Sequence, residues 1–168
     1  MAELVLTFET HPGRTLRLAL FRDCKNAEEV RAAIVDCSKP ECSYLNANLH
    51  LAAYRALAAE SADRMLTKNI HTELIYGISG TKHVGESLKR FGITDGSTAV
   101  LVARFDCTPE EMAALKSRIQ GTQVDVADLA TLTDLDLVDK YYKITKAELQ
   151  GRSRTDAIAF RIGAKDCL

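Results

Sequence analysis

The stretch Thr98-Ala99-Val100-Leu101-Val102-Ala103-Arg104-Phe105, followed at once by Thr108-Pro109-Glu110-Glu111, constrains the fold more than any other part of the chain. Residues 98–105 are a β-branched, apolar run of strand length and lack the polar alternation of a strand that faces water, so they predict a well-buried strand. The residues after it put a hydroxyl at an N-cap, proline at the first helical position and two carboxylates in the first turn, ahead of Met112, Leu115 and Ile119. A buried strand feeding a capped helix points to a sheet with helices packed on it.

The rest of the chain fits that scheme. Leu4, Leu6 and Phe8 alternate, His11-Pro12-Gly13 makes a turn, and residues 16–21 are densely apolar, which predicts a strand pair. Asn26 stands at an N-cap position before Glu28, Glu29, Val30, Ala33 and Ile34, predicting a helix that ends near Cys37. After a loop around Pro40, the spacing of Leu45, Leu49, Ala52, Ala53, Ala56 and Leu57 predicts a second helix reaching about Ser61. Ile70, Thr72, Leu74, Tyr76 and Ile78 alternate with His71, Glu73 and Ile75, predicting a strand over 69–78. Val84, Leu88 and Phe91, with Gly92 as a C′ residue, predict a helix.

Beyond the helix that starts at Thr108, Val124 suggests a strand. Residues 126–132 and 135–142 read as short helices, and Thr145 with Glu148 forms a capping-box pattern. Residues 156–162 read as a helix with Thr155 as N-cap, although Ile158, Phe160 and Ile162 also alternate as a strand would. The expected fold is mixed α+β: one domain over residues 1–168, with a small sheet packed against several helices and no repeat or linker.

Composition narrows the function. With 168 residues, 46% of them hydrophobic, the chain can build a core without disulfides or a metal. A formal charge of −1 argues against a stand-alone binder of duplex nucleic acid, leaving only a local basic patch for phosphate. The start MAELVLTFET has no signal-peptide pattern and no apolar run approaches the roughly 18 residues of a spanning helix, so a soluble, unexported protein is expected. The cysteines, Cys24, Cys37, Cys42, Cys107 and Cys167, are odd in number and form no C-x-x-C pair; free thiols are expected. A metal site from Cys37, Cys42 and His50 fits no common zinc spacing. Neither a metal nor a cofactor is expected.

Enzyme templates are approached and missed. Gly80-Thr81-Lys82-His83-Val84-Gly85-Glu86-Ser87 nearly spells the phosphate-loop signature, but Glu86 occupies the lysine position and would repel the phosphates. Gly77-Ile78-Ser79-Gly80 is not a nucleophile elbow. His71 and Glu73 would share a strand face as half of an acid/base or metal pair, and no third group is indicated. A small nucleotide- or ligand-dependent enzyme using the 80–87 turn or the His71/Glu73 pair is the alternative reading. Tyr141-Tyr142 is adjacent on a helix, which suits one packed ring and one exposed ring better than a stacking platform. Lys68, Lys82, His83, Lys89 and Arg90 concentrate positive charge around one strand-turn-helix unit, where the acidic residues are only Glu73 and Glu86.

Several blocks resemble a known family. The run Ile70-His71-Thr72-Glu73-Leu74-Ile75-Tyr76-Gly77-Ile78-Ser79, followed by VGESLKRFGI over 84–93, is similar to the signature stretch of the kinase-binding subunit of the KEOPS (EKC) complex, the TPRKB-type family. The early LALFRDCKN over 18–26 resembles that family's L-L-L-F-x-x-V-K-N, and Asp156-Ala157-Ile158, Arg161 and Lys165-Asp166-Cys167-Leu168 resemble its terminal D-A-I-x-x-R…K-D-x-L. The resemblance implies a mixed α/β domain without catalysis of its own. It implies binding to the complex's small atypical kinase/ATPase, and through it to the threonylcarbamoyl-transferase subunit that modifies the adenosine beside the tRNA anticodon. It also implies a contact with the single-stranded 3′ CCA end of tRNA, no membrane, and a cytoplasmic and nuclear location.

Candidate residues follow. For the kinase they are Asp156, Ile158, Arg161, Ile162, Lys165 and Asp166: either Ile158 and Ile162 form an apolar anchor beside a cation, or they are core and only the outer face of the segment works. For tRNA, Lys68, Lys82, Lys89 and Arg90 are candidates for phosphates, Asn69 for a base edge, and His83 lies among them. Leu66-Thr67-Lys68 stands where the family has K-T-R, with one cation fewer and a lysine in place of the planar arginine fork. The family's polar turn, S-P-N-N-N, is here Ser79-Gly80-Thr81-Lys82-His83, which restores positive charge at a different point.

Overall fold

The computed structural model describes residues 3–33, 37–38 and 46–167. Strands β1 (Glu3–Thr7) and β2 (Thr15–Arg22) form the expected hairpin. β2 is the centre of the sheet. One of its edges pairs with β4 (Val100–Phe105), and the other is shared by β1 and β5 (Thr122–Val124), which takes over at Leu20. The short β3 (Cys37–Ser38) pairs with the far side of β4, and every pairing is antiparallel.

Strand alternation divides the side chains between two cores. Leu16, Leu18 and Leu20 of β2, with Leu101, Ala103 and Phe105 of β4, enter the larger one beneath α2 (Asn46–Ser61), α3 (Ile70–Ile78) and α9 (Arg154–Gly163). Ala19, Phe21, Val100 and Val102 enter the other, where Val30 of α1 (Ala27–Ala33) and Met112 of α5 (Pro109–Lys116) meet them. Apolar cover on both faces is why 98–105 reads as one unbroken hydrophobic run. Cys24 and Cys107 lie in this second core as free thiols; burial pushes Cys24 up to about 11 and Cys107 upward as well.

The helices α4 (Val84–Phe91), α6 (Leu129–Leu132), α7 (Leu135–Tyr142) and α8 (Glu148–Gly151) complete the larger layer, with a 3-10 turn at Val126–Asp128. Thr108 is the N-cap expected at the start of α5, and with Glu111 it closes a reciprocal capping box. Other caps differ in detail. Asn26 starts α1 with its backbone carbonyl, while its side chain bonds Arg118 O and Gln120 N in the segment after α5. Ser153, not Thr155, caps α9. Thr145 does accept from Glu148 N, but the Glu148 carboxylate turns to Arg161 instead of closing the box. Gly92 ends α4 with negative φ; a Cβ there would lie 2.5 Å from the Leu88 carbonyl oxygen.

The principal correction concerns residues 69–78, which form a helix and not a strand. Every residue from 73 to 79 is buried, so the segment has no polar stripe to reveal its period. Its start is fixed locally: the Asn69 side-chain carbonyl accepts from Thr72 N at 2.9 Å and Thr72 Oγ1 at 3.0 Å. Its position is fixed by Gly77, where a Cβ would stand 3.2 Å from the Ala52 carbonyl oxygen of α2, so the two helices meet backbone to backbone. Gly77→Val should therefore destabilise the protein by about 1–3 kcal/mol in urea unfolding. Gly85→Ala, where an added Cβ meets nothing, should be neutral or stabilising by up to about 1 kcal/mol.

Candidate functional site

Helix α3 is held at both ends by side chains. At its N-terminal end the buried Glu73 carboxylate accepts from Leu66 N (3.1 Å), Thr67 N (2.9 Å) and Thr67 Oγ1 (2.7 Å). These bonds fold the preceding loop against the helix and leave the Leu66 side chain exposed. At its C-terminal end the carbonyls have no intrahelical donors and are buried. Tyr142 OH donates to Ile78 O at 2.6 Å, and the Lys165 ammonium donates to Tyr76 O and lies 3.4 Å from Ser79 Oγ. Ser79 Oγ also donates to Tyr76 O at 3.0 Å and lies 2.6 Å from Ser87 Oγ, tying α3 to α4.

Lys165 is 1% exposed, and its Nζ stands 3.2 Å from the centroid of the Tyr76 ring. A cation suits the negative end of the helix dipole and an aromatic face. Burial, and then the neighbouring Arg55, push its ammonium down to about 7.

Two clefts flank this buried lysine, which lines both. The first, about 710 Å³, lies between Arg55 and Ala59 of α2, residues 64–66, Tyr76 of α3 and Asp166. Met65, the exposed Leu66 and the Tyr76 edge make its walls apolar; Arg64 and Arg55 supply positive charge, Arg55 being paired with Asp166 at 2.5 Å. The second, about 620 Å³, lies between the 80–83 turn, Arg90 of α4, the Tyr141–Lys143 end of α7 and Arg161 of α9.

The residues singled out for tRNA do not form one patch. Lys68 and Asn69 sit at the N-terminal end of α3, Asn69 as its cap. Lys82, His83 and Arg90 line the second cleft at the other end, and Lys89 is exposed on α4 outside both linings. Arg90 pairs with Glu86 and covers Tyr141 at 5.2 Å, whereas Tyr142 is buried. The 80–87 turn joins two helices rather than a strand and a helix.

The His71/Glu73 pair does not exist as a pair. Two residues apart on a helix they face different neighbours: Glu73 holds the 66–67 loop, and His71 Nε2 accepts from Phe105 N at 3.1 Å. Among the described residues no three His, Cys, Asp or Glu side chains gather as metal ligands. Cys42, which the Cys37/Cys42/His50 metal reading needs, lies outside the described residues.

Of the kinase candidates, Ile158 and Ile162 are fully buried in the larger core, which fits the second of their two readings and not the apolar anchor, and Lys165 is buried as well. Four residues apart, the two isoleucines share the inner face of α9. Arg161 faces the second cleft and binds both Glu148 oxygens at 2.9 and 2.7 Å. Asp156 completes the Ser153 cap and Asp166 is exposed. The exposed apolar residue of α9 is Phe160, 52% accessible, with the Arg152 guanidinium 5.3 Å over its ring. The helix/strand ambiguity of 156–162 hid it, as the strand reading of 69–78 hid the first cleft.

A profile of the family described as kinase binding protein CGI-121 matches residues 21–166. The chain belongs to this family. The zebrafish (Danio rerio) EKC/KEOPS complex subunit TPRKB is similar at 30% identity over 161 residues, covering 90% of this chain and 91% of the relative. The EKC/KEOPS complex subunit CGI121 of Yarrowia lipolytica is similar at 31% over 160 residues, covering 89% and 90%. The resemblance read from the sequence is thus borne out at the level of the family.

Lys165 gives this CGI-121 family member a measurable signature. An ordinary lysine titrates near pH 10.4, so between about pH 7 and 10 the unfolded chain binds more protons than the folded one, and stability rises with pH by up to about 1.4 kcal/mol per unit. Urea unfolding at pH 7, 8 and 9 should show this rise in the wild type and its loss in Lys165→Met. An identical slope in both proteins would contradict it.

Proposed function

We propose that this chain is a non-catalytic interaction subunit of the KEOPS/EKC complex: it docks and stimulates the small atypical kinase/ATPase and holds the single-stranded 3′ CCA end of tRNA for N6-threonylcarbamoyladenosine modification. Family membership carries the kinase half of this reading. The first cleft carries the tRNA half. It lies at the loop that stands in place of the family's K-T-R, and it combines apolar walls with arginines, which suits unpaired nucleotides that need a few cations and surfaces to rest bases on.

For the kinase we favour the outer face of α9, where Phe160 presents an apolar ring beside Arg152 and Asp156. The enzyme alternative finds no support from a paired His71 and Glu73. Pull-down with the cognate kinase should lose at least about tenfold in affinity on Phe160→Glu, equivalent to about 1.4 kcal/mol. Because Phe160 is exposed, the variant should keep its fold by circular dichroism. Undiminished capture would remove this face from the interface.

A further inference from the structure

We infer that the second cleft is a phosphate-binding surface for base-paired RNA, the stem that carries the single-stranded end; this rests on the tRNA reading above. The charge balance of the cleft is the starting observation. Its arginines are committed inside the protein, Arg90 to Glu86 and Arg161 to Glu148, so these carboxylates are already neutralised. Lys82 of the turn and Lys143 at the end of α7 are exposed, line the same cleft, and have no ion pair among the described residues. Lys143 is placed there by a left-handed backbone (φ 54°) whose N–H closes α7. Two uncompensated ammonium groups from separate elements converge on one concavity of a chain whose formal net charge is −1.

The kind of nucleic acid follows from what the cleft lacks. The Tyr141 ring lies under Arg90, and Tyr142 is buried with its ring against the Gly80 turn, so the aromatic rings here already have partners. Charge without a stacking surface matches a phosphodiester backbone whose bases are paired and turned inward. The position agrees. The two clefts adjoin, since Lys165 lines both. An end held in the first cleft brings the base pairs that follow it to the second.

The test measures binding of intact and CCA-trimmed tRNA to the full chain over a salt series, for wild type and for Lys82→Gln/Lys143→Gln. Both lysines are exposed, and circular dichroism checks the fold. The expected result is a loss of about tenfold or more for both RNAs at low salt, with the log–log salt slope reduced by about 1.8. A short single-stranded oligonucleotide ending in CCA should bind both proteins equally. Unchanged affinity and slope with both tRNAs would overturn the inference, as would equal loss on the short oligonucleotide. Loss of kinase capture without loss of tRNA binding would overturn it in favour of an acidic protein partner. Equal binding of intact and trimmed tRNA by the wild type would instead sink the end-capture reading, and no tRNA binding at all would sink both.

Discussion

The contact of Lys165 with the C-terminal end of α3 organises the layer of helices on which the candidate surfaces lie. A buried helix end exposes carbonyls to an apolar interior, where an unmade hydrogen bond costs about 1–3 kcal/mol. Here a lysine from the C-terminal segment and a tyrosine from α7 supply the donors to Tyr76 O and Ile78 O. With the Gly77 approach to α2 and the Ser79–Ser87 link to α4, they make α3 the element where several helices meet. The family resemblance at the chain's end, Lys165-Asp166, acquires a physical meaning: one residue closes α3 and the next pairs with Arg55.

How much of this was legible in the sequence depends on whether local chemistry or tertiary burial decided each element. The hairpin, β4 and α5 carry their own signals, in alternation, apolar density and the Thr108 cap with Pro109 behind it, and they appear as expected. Helix α3 carries β-branched residues and burial on every side, so period and propensity both favoured a strand; the Asn69 cap was the local sign of a helix. That one error split a His71/Glu73 site that does not exist from a first cleft that does. For α9 the helix was expected, but assigning its faces required knowing the partner layer: Ile158 and Ile162 turn inward, and Phe160 is left outside. Family membership was legible from blocks spread along the chain, because it needs only their order and not their structure.

The arrangement also reconciles a neutral chain with the proposed RNA partner. Arg55, Arg90 and Arg161 are paired with carboxylates and act as fixed walls, while Arg64 and a few lysines stay exposed. On the proposed reading, the two adjoining clefts hold the RNA, and the Phe160 face leaves a separate surface for the kinase.

The central claim, that the 3′ end of tRNA rests in the cleft beside α3, can be tested by photo-cross-linking. A tRNA with a photoreactive nucleoside at its 3′ terminus, irradiated with the full chain and mapped by mass spectrometry, should label residues 64–66, Tyr76 or the segment at 165–166. Cross-links confined to α1 and α5, across the sheet, would contradict the account.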